Sequence, residues 1–247
     1  MTAAFVDELE TFRTEEEVAQ QYFFCYLSVR SVGAVNPDVL KKINETPLFW
    51  ITTHHAMLLA AFVALGRIFD QDKRSIHNID KLLRSVTDNT DLLTNAALKK
   101  RKEAMGISAS DAAEYVKGKY ELTPTDIRAM RKAVSHWRGV YEARYRDIRH
   151  GVFAHKGLGP AAVDDLMAKT NVDEMKEMFG FLHALHLSLQ ELYLNGRKPD
   201  LTPATFILPP NGRPYSGSLK AGERVYRDGH DVLYGMLSVT DWLRAED

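Results

Sequence analysis

The chain is poor in the residues that would settle its function at a glance. Among its 247 residues there is one cysteine, Cys25, set in an apolar run. A lone cysteine excludes an internal disulfide and any cysteine metal cluster, and it fits the core of a reduced, cytoplasmic protein. Net charge is almost absent, at −1, so no global field draws the protein to nucleic acid or anionic lipid. The first residues, Met-Thr-Ala-Ala and then acids, lack the basic-then-apolar order of a signal peptide. The longest apolar segment, Leu48–Phe69, is broken by His54, His55 and Arg67, which reads as a buried helix rather than a membrane span. Alternating strand patterns, internal repeats and low-complexity tracts are missing as well.

What is present is ordinary globular composition, 45% hydrophobic and 26% charged, in a chain long enough for one large core or two modest ones. Helical spacing recurs throughout. A helix is expected from Glu15 to about Ser31, with three glutamates in its first turn and a break at Asn36-Pro37. Thr46-Pro47 starts a second, which should run to Phe69 and lie centrally, since it is apolar on most faces. Its small residues, Ala60, Ala61, Ala64 and Gly66, should let another helix approach closely. Ser75 should cap a helix through Ile79, Leu82, Leu83 and Val86. Thr90–Met105 and Ser108–Gly118 follow, the latter capped by Ser110. Thr123-Pro124 opens the longest helix, whose stripe Ile127, Met130, Val134, Trp137, Tyr141, Ile148 and Val152 should be buried. Thr170 or Asn171 caps the next, closing at Asn195-Gly196. Pro199–Gly217 reads as a surface loop. The last helix, Gly222–Arg244, carries Gly229 and Gly235, which predict two pieces. The expected architecture is all-α: a helical bundle over 1–198, and a C-terminal extension over 199–247 packed on the same core.

Charge is uneven along the chain. Met1–Gln20 holds six acids and one base, whereas Asp126–Lys156 holds eight bases and three acids. The basic stretch ends in Tyr145–Gly157, YRDIRHGVFAHKG. Arg149 supplies a permanently charged fork suited to phosphate. His155 titrates near neutrality and suits general acid–base work. The pair can activate a ribose 2′-hydroxyl and stabilise charge on the attacked phosphate without a metal or other cofactor. Six residues along an α-helix turn it by about 600°, leaving the two side chains about 120° apart and about 9 Å apart in rise. That separation favours a composite site shared by two copies across a two-fold axis. His150 can hydrogen-bond phosphate or the catalytic histidine, Arg146 and Lys156 can contact substrate, and Tyr145 and Phe153 can stack on bases. The competing reading makes His155 a core histidine on the buried stripe and Arg149 a surface base.

Other constellations are weaker. Asp70 and Asp72 suggest a calcium loop, but the sixth and twelfth loop positions hold Ser75 and Lys81 instead of glycine and glutamate. His183 and His186 are close enough on one helix to share a metal, with no third ligand evident. His54-His55 fit packing, and His230-Asp231 lacks the partner motifs of a metal phosphohydrolase.

The segment RHGVFAHKG resembles the Arg-x(4–6)-His motif of the HEPN superfamily, and its Arg-polar-x-x-x-Ala-His form is similar to the AbiU-type abortive-infection branch. The upstream RIFDQDKRS, Arg67–Ser75, followed by Leu82-Leu83, resembles the same branch, so the likeness covers Glu15–Gly196. It implies an all-helical bundle, commonly a homodimer, and a metal-independent endoribonuclease of toxin–antitoxin or antiphage systems that leaves 2′,3′-cyclic phosphate ends. It further implies RNA as substrate and a cognate antitoxin protein as a partner. Carried over, Arg149 binds phosphate, His155 is catalytic and His150 holds the polar position after the arginine, where the family often has Asn or Asp. The alternative is a non-catalytic HEPN-like module that binds RNA, a nucleotide or a protein.

Overall fold

A computed structural model describes residues 2–154, 165–166, 168–208 and 219–238. All regular structure among the described residues is helical. The helices are α1 (Thr2–Val35), α2 (Pro37–Glu45), α3 (Pro47–Ile68), α4 (Ile79–Asp88), α5 (Asn95–Ala104), α6 (Ala109–Tyr115), α7 (Pro124–Arg144), α8 (Val172–Asn195) and α9 (Ala221–Ser238). A 3₁₀ turn covers Thr90–Leu93, and a π-helix covers Ile148–Ala154. The chain forms two compact units. One comprises Met1–Glu16 and Gly66–Thr205, the other Glu17–Leu65 and Phe206–Asp247. This division differs from the expected one at residue 198.

In the first unit α4 packs on α7, and α5 packs on both α6 and α8. The stripe expected on α7 is buried at Met130, Val134, Trp137 and Tyr141. It meets the apolar face of α8, where Phe181 stacks on Trp137 with ring centroids 6.0 Å apart. The ends of these helices follow local chemistry. Thr123 and Asp126 form a reciprocal capping box at the start of α7. Asn171 Oδ1 accepts from the backbone N–H groups of Asp173 and Glu174 to start α8. Gly196 ends α8 at φ +60°, where an added Cβ would also come within 2.9 Å of Leu98 Cδ2. Two caps lie elsewhere than expected, and one helix starts later than expected. Asn78, not Ser75, caps α4; Thr94 caps α5 after the 3₁₀ turn; Ser108, not Ser110, caps α6. Each observed cap stands immediately before the first helical residue, and its side-chain oxygen accepts from an N–H two residues further on, or three from the cap itself.

The second unit is built on Val29, Val32, Val39 and Leu233, with Ile43, Trp50 and Tyr234 packed against them. Helix α9 lies on α2 and runs unbroken through Gly229, contrary to the two pieces expected. Gly222 lies against the Phe24 ring and Gly229 against Ser28, so both glycines permit close approach of α9 to the Glu17–Val35 part of α1. The buried Glu223 carboxylate accepts from the backbone N–H groups of Ile207 and Lys220, which anchors the chain entering α9. Helix α1 is much longer than the segment expected from Glu15.

Helix α3 corrects a further expectation. Its bounds match Thr46-Pro47 as a start, but Leu48 is 78% exposed, Phe49 62% and Ile51 65%, so its first turns are not central. By length and composition alone it is apolar enough to cross a membrane. Apolarity on most faces shows that burial would be favourable, not that a neighbour covers every face.

Candidate active site around Arg149

The two stretches singled out in the sequence meet in the first unit. Helix α3 ends at Ile68, with Gly66, Ile68 and Phe69 buried. The following turn is organised by its own carboxylates. Asp70 Oδ1 accepts from the Asp72 N–H at 3.0 Å, and Asp72 Oδ1 accepts from the Arg74 N–H at 2.9 Å. Asp72 also receives two hydrogen bonds from the Arg74 guanidinium, which hold its carboxyl below the usual carboxylate range. Asp70 and Asp72 therefore shape this turn.

On the other side, α7 ends at Arg144 and Tyr145 caps it. The expected single α-helix through Val152 does not form. The backbone turns at Tyr145 and resumes as the π-helix Ile148–Ala154, with the Arg149 N–H donating to the Tyr145 carbonyl. The wider i→i+5 turn of a π-helix is uncommon and is frequent at functional sites. The 120° separation of Arg149 and His155 assumed α-helical rotation, so it does not apply here. His155 and Lys156 lie outside the described residues, and so do the side chains of Val152 and Phe153.

Arg149 is half-buried and rests on Gly66. A Cβ at position 66 would come within 2.8 Å of Arg149 Cδ and Cζ and would collide with its guanidinium nitrogen. Gly66 thus admits an arginine, not the second helix foreseen from the sequence. Arg146, Arg149 and His150 line one cavity of about 320 Å³ with Asp70, Asp72 and Glu142. Its apolar wall is Phe69 stacked on Tyr141, centroids 5.4 Å apart and planes inclined by 25°. Burial pushes the Tyr141 hydroxyl up, and the neighbouring Arg149 charge partly offsets this. That hydroxyl is buried and makes no hydrogen bond of normal geometry. Arg146 and Glu142 form a loose, exposed pair at 4.0 Å, worth little in water. The cavity therefore offers fixed positive charge, an exposed imidazole at His150 and a desolvated hydroxyl at Tyr141.

Tyr145 is a correction. It is fully buried, and its hydroxyl donates to Glu174 Oε1 at 2.8 Å and also contacts the Asn171 carbonyl at 3.2 Å. It cannot stack on a base, and it ties the end of α7 to the start of α8. Tyr141 and Gly66 are cavity residues that the sequence did not mark as such: their spacing signals only packing. The remaining histidines behave differently. His54 packs edge-on against Tyr26, and His230 is buried beside Tyr226, with ring centroids 4.5 Å apart. These contacts agree with packing roles.

A family model for AbiU2, of the HEPN group, matches residues 3–209. No curated protein and no solved structure matches the chain. The match extends beyond both stretches that carry the resemblance and covers most of the chain. With an all-helical fold that brings those stretches together, the chain belongs to the AbiU2 family of HEPN proteins.

Proposed function

We propose that this protein is a metal-independent endoribonuclease of a toxin–antitoxin or antiphage defence system, acting as a cytoplasmic homodimer and restrained by a cognate antitoxin protein. The observation that carries the reading is the Arg149 guanidinium seated on Gly66 in a cavity shared with Arg146 and His150. Family membership supports it as an RNase or defence-associated module. In this reading Arg149 holds the scissile phosphate and His155 takes the proton from the ribose 2′-hydroxyl. The 2′-oxygen attacks phosphorus, the bond from phosphorus to the 5′-oxygen breaks, and the leaving oxygen takes up a proton. The products are a 2′,3′-cyclic phosphate and a 5′-hydroxyl. His150 hydrogen-bonds the phosphate or His155, and Arg146 and Lys156 bind flanking phosphates. A second copy supplies the facing Arg and His.

The test is RNA incubated briefly with tag-free protein in EDTA, beside Arg149→Ala and His155→Ala. Cleavage that is lost only in the variants supports the enzyme. Equal traces from all three proteins identify a contaminant and remove the reading. One observation favours the non-catalytic alternative: three carboxylates share the cavity and oppose a polyanion. RNA or protein binding that depends on Arg149, with no cleavage by any variant, selects that alternative.

A further inference from the structure

The histidine pair on α8 acquires in the fold a partner that lies far away in sequence. His183 and His186 are three residues apart, hence neighbours on one helix face. Their ring centroids are 6.4 Å apart. Facing them is Glu16 of α1, with a side chain that is fully buried. Glu16 Oε1 lies 3.0 Å from His183 Nδ1 and 3.8 Å from His186 Nδ1. One donor atom from each residue falls within 4.8 Å of the others.

We propose that Glu16, His183 and His186 form a binding site for one divalent transition-metal ion, zinc by the chemistry of its donors. Two imidazoles and a carboxylate are a borderline donor set, which suits zinc and not calcium or magnesium. A tetrahedral zinc with bonds of about 2.0–2.2 Å needs donor atoms about 3.3–3.5 Å apart. The Glu16–His183 and Glu16–His186 separations of 3.0 and 3.8 Å straddle that requirement. The independent observation is at His186. Its side chain is 5% exposed, and its Nδ1 is buried without a hydrogen-bond partner. A buried ring nitrogen without a partner is unfavourable, and a metal ion supplies that partner.

The local charges are compatible with a cation. Arg13 is a nearby positive group among the described residues, and Glu10 holds it through two hydrogen bonds. His183 is 17% exposed, which gives an ion a route to the site, and the fourth position would take water. The ion would clamp α1 to α8 and serve structure. The three ligands share no residue with the Arg149 cavity, so this inference stands apart from the ribonuclease reading.

The test uses tag-free full-length protein, dialysed against chelator and then titrated with Zn²⁺ by calorimetry, with metal content measured by elemental analysis. Co²⁺ serves as a spectroscopic probe. The expected result is one ion per chain, visible absorption of tetrahedral Co²⁺, and a melting temperature that rises with Zn²⁺. Glu16→Gln keeps a hydrogen-bonding group of the same shape, and His186→Gln keeps a polar one. Each should weaken Zn²⁺ binding by about 100-fold or more and abolish the Co²⁺ band. A folded wild type that takes up no stoichiometric metal overturns the proposal. So does metal binding of equal strength in both variants, which would put the ion on other histidines. Should either variant unfold, His183→Gln at the partly exposed edge provides the comparison.

Discussion

Gly66 and Arg149 occupy the same small volume: the guanidinium of Arg149 fills the space that a side chain at position 66 would need. A methyl group there must displace the arginine. Gly66→Ala should therefore change stability by no more than about 1 kcal/mol, because the half-buried arginine can swing aside and alanine favours the helix. It should also reduce RNA cleavage by about 100-fold, because a displaced phosphate ligand is misaligned. Thermal melts and initial cleavage rates on the same preparation check both. Full activity with an unchanged melting temperature would show that Arg149 does not depend on this seat.

Tyr145 separates structural from catalytic roles in the same motif. Tyr145→Phe removes the hydroxyl that donates to the Glu174 carboxylate and contacts the Asn171 carbonyl, a charge-assisted bond in a partly buried setting. The expected loss is about 1–3 kcal/mol. Below the new melting temperature, cleavage per folded molecule should equal wild type. A large fall in turnover with stability unchanged would restore Tyr145 to the site.

The legible part of this fold is the part written in local chemistry. Thr123-Pro124, Asn171 and Asn195-Gly196 mark helix ends because capping and left-handed geometry involve residues within one turn. The π-helix at Ile148–Ala154 was not legible, since apolar spacing does not reveal a change in hydrogen-bond register. The exposure of Leu48, Phe49 and Ile51 was not legible either, because a sequence gives the apolarity of a face and not what covers it. The two motif stretches were visible as a resemblance, but the role of Gly66 became clear only when Arg149 was found on top of it. Glu16 was beyond reach from sequence: 167 residues separate it from His183.

The exposed start of α3 gives a prediction of little change. Leu48→Ser, Phe49→Ser and Ile51→Ser remove side chains that are mostly in water. Each should move the stability of the isolated chain by no more than about 0.5 kcal/mol. Denaturant melts at low protein concentration check this. A loss of several kcal/mol would mean that this face is covered in solution.

His230 in the second unit makes stability depend on pH. Burial holds its pKa below the ordinary 6.5, and Asp231 only partly opposes this; Ser31, Tyr226 and Tyr234 also lie beside it. As pH falls through 6.5 the unfolded chain binds a proton that the folded chain does not. Stability present above that pH is therefore lost on acidification. Melting temperatures between about pH 7.5 and 5.5 should fall for wild type, and less steeply for His230→Gln. Equal slopes would assign the acid sensitivity to other groups.

The central claim, metal-independent ribonuclease chemistry at the Arg149 cavity, is tested most directly by the ends of the cleaved RNA. Products made by wild-type protein in EDTA should carry 2′,3′-cyclic phosphate and 5′-hydroxyl termini, and Arg149→Ala and His155→Ala should yield none. Termini with a 5′-phosphate, or cyclic phosphates produced equally by both variants, would contradict the account.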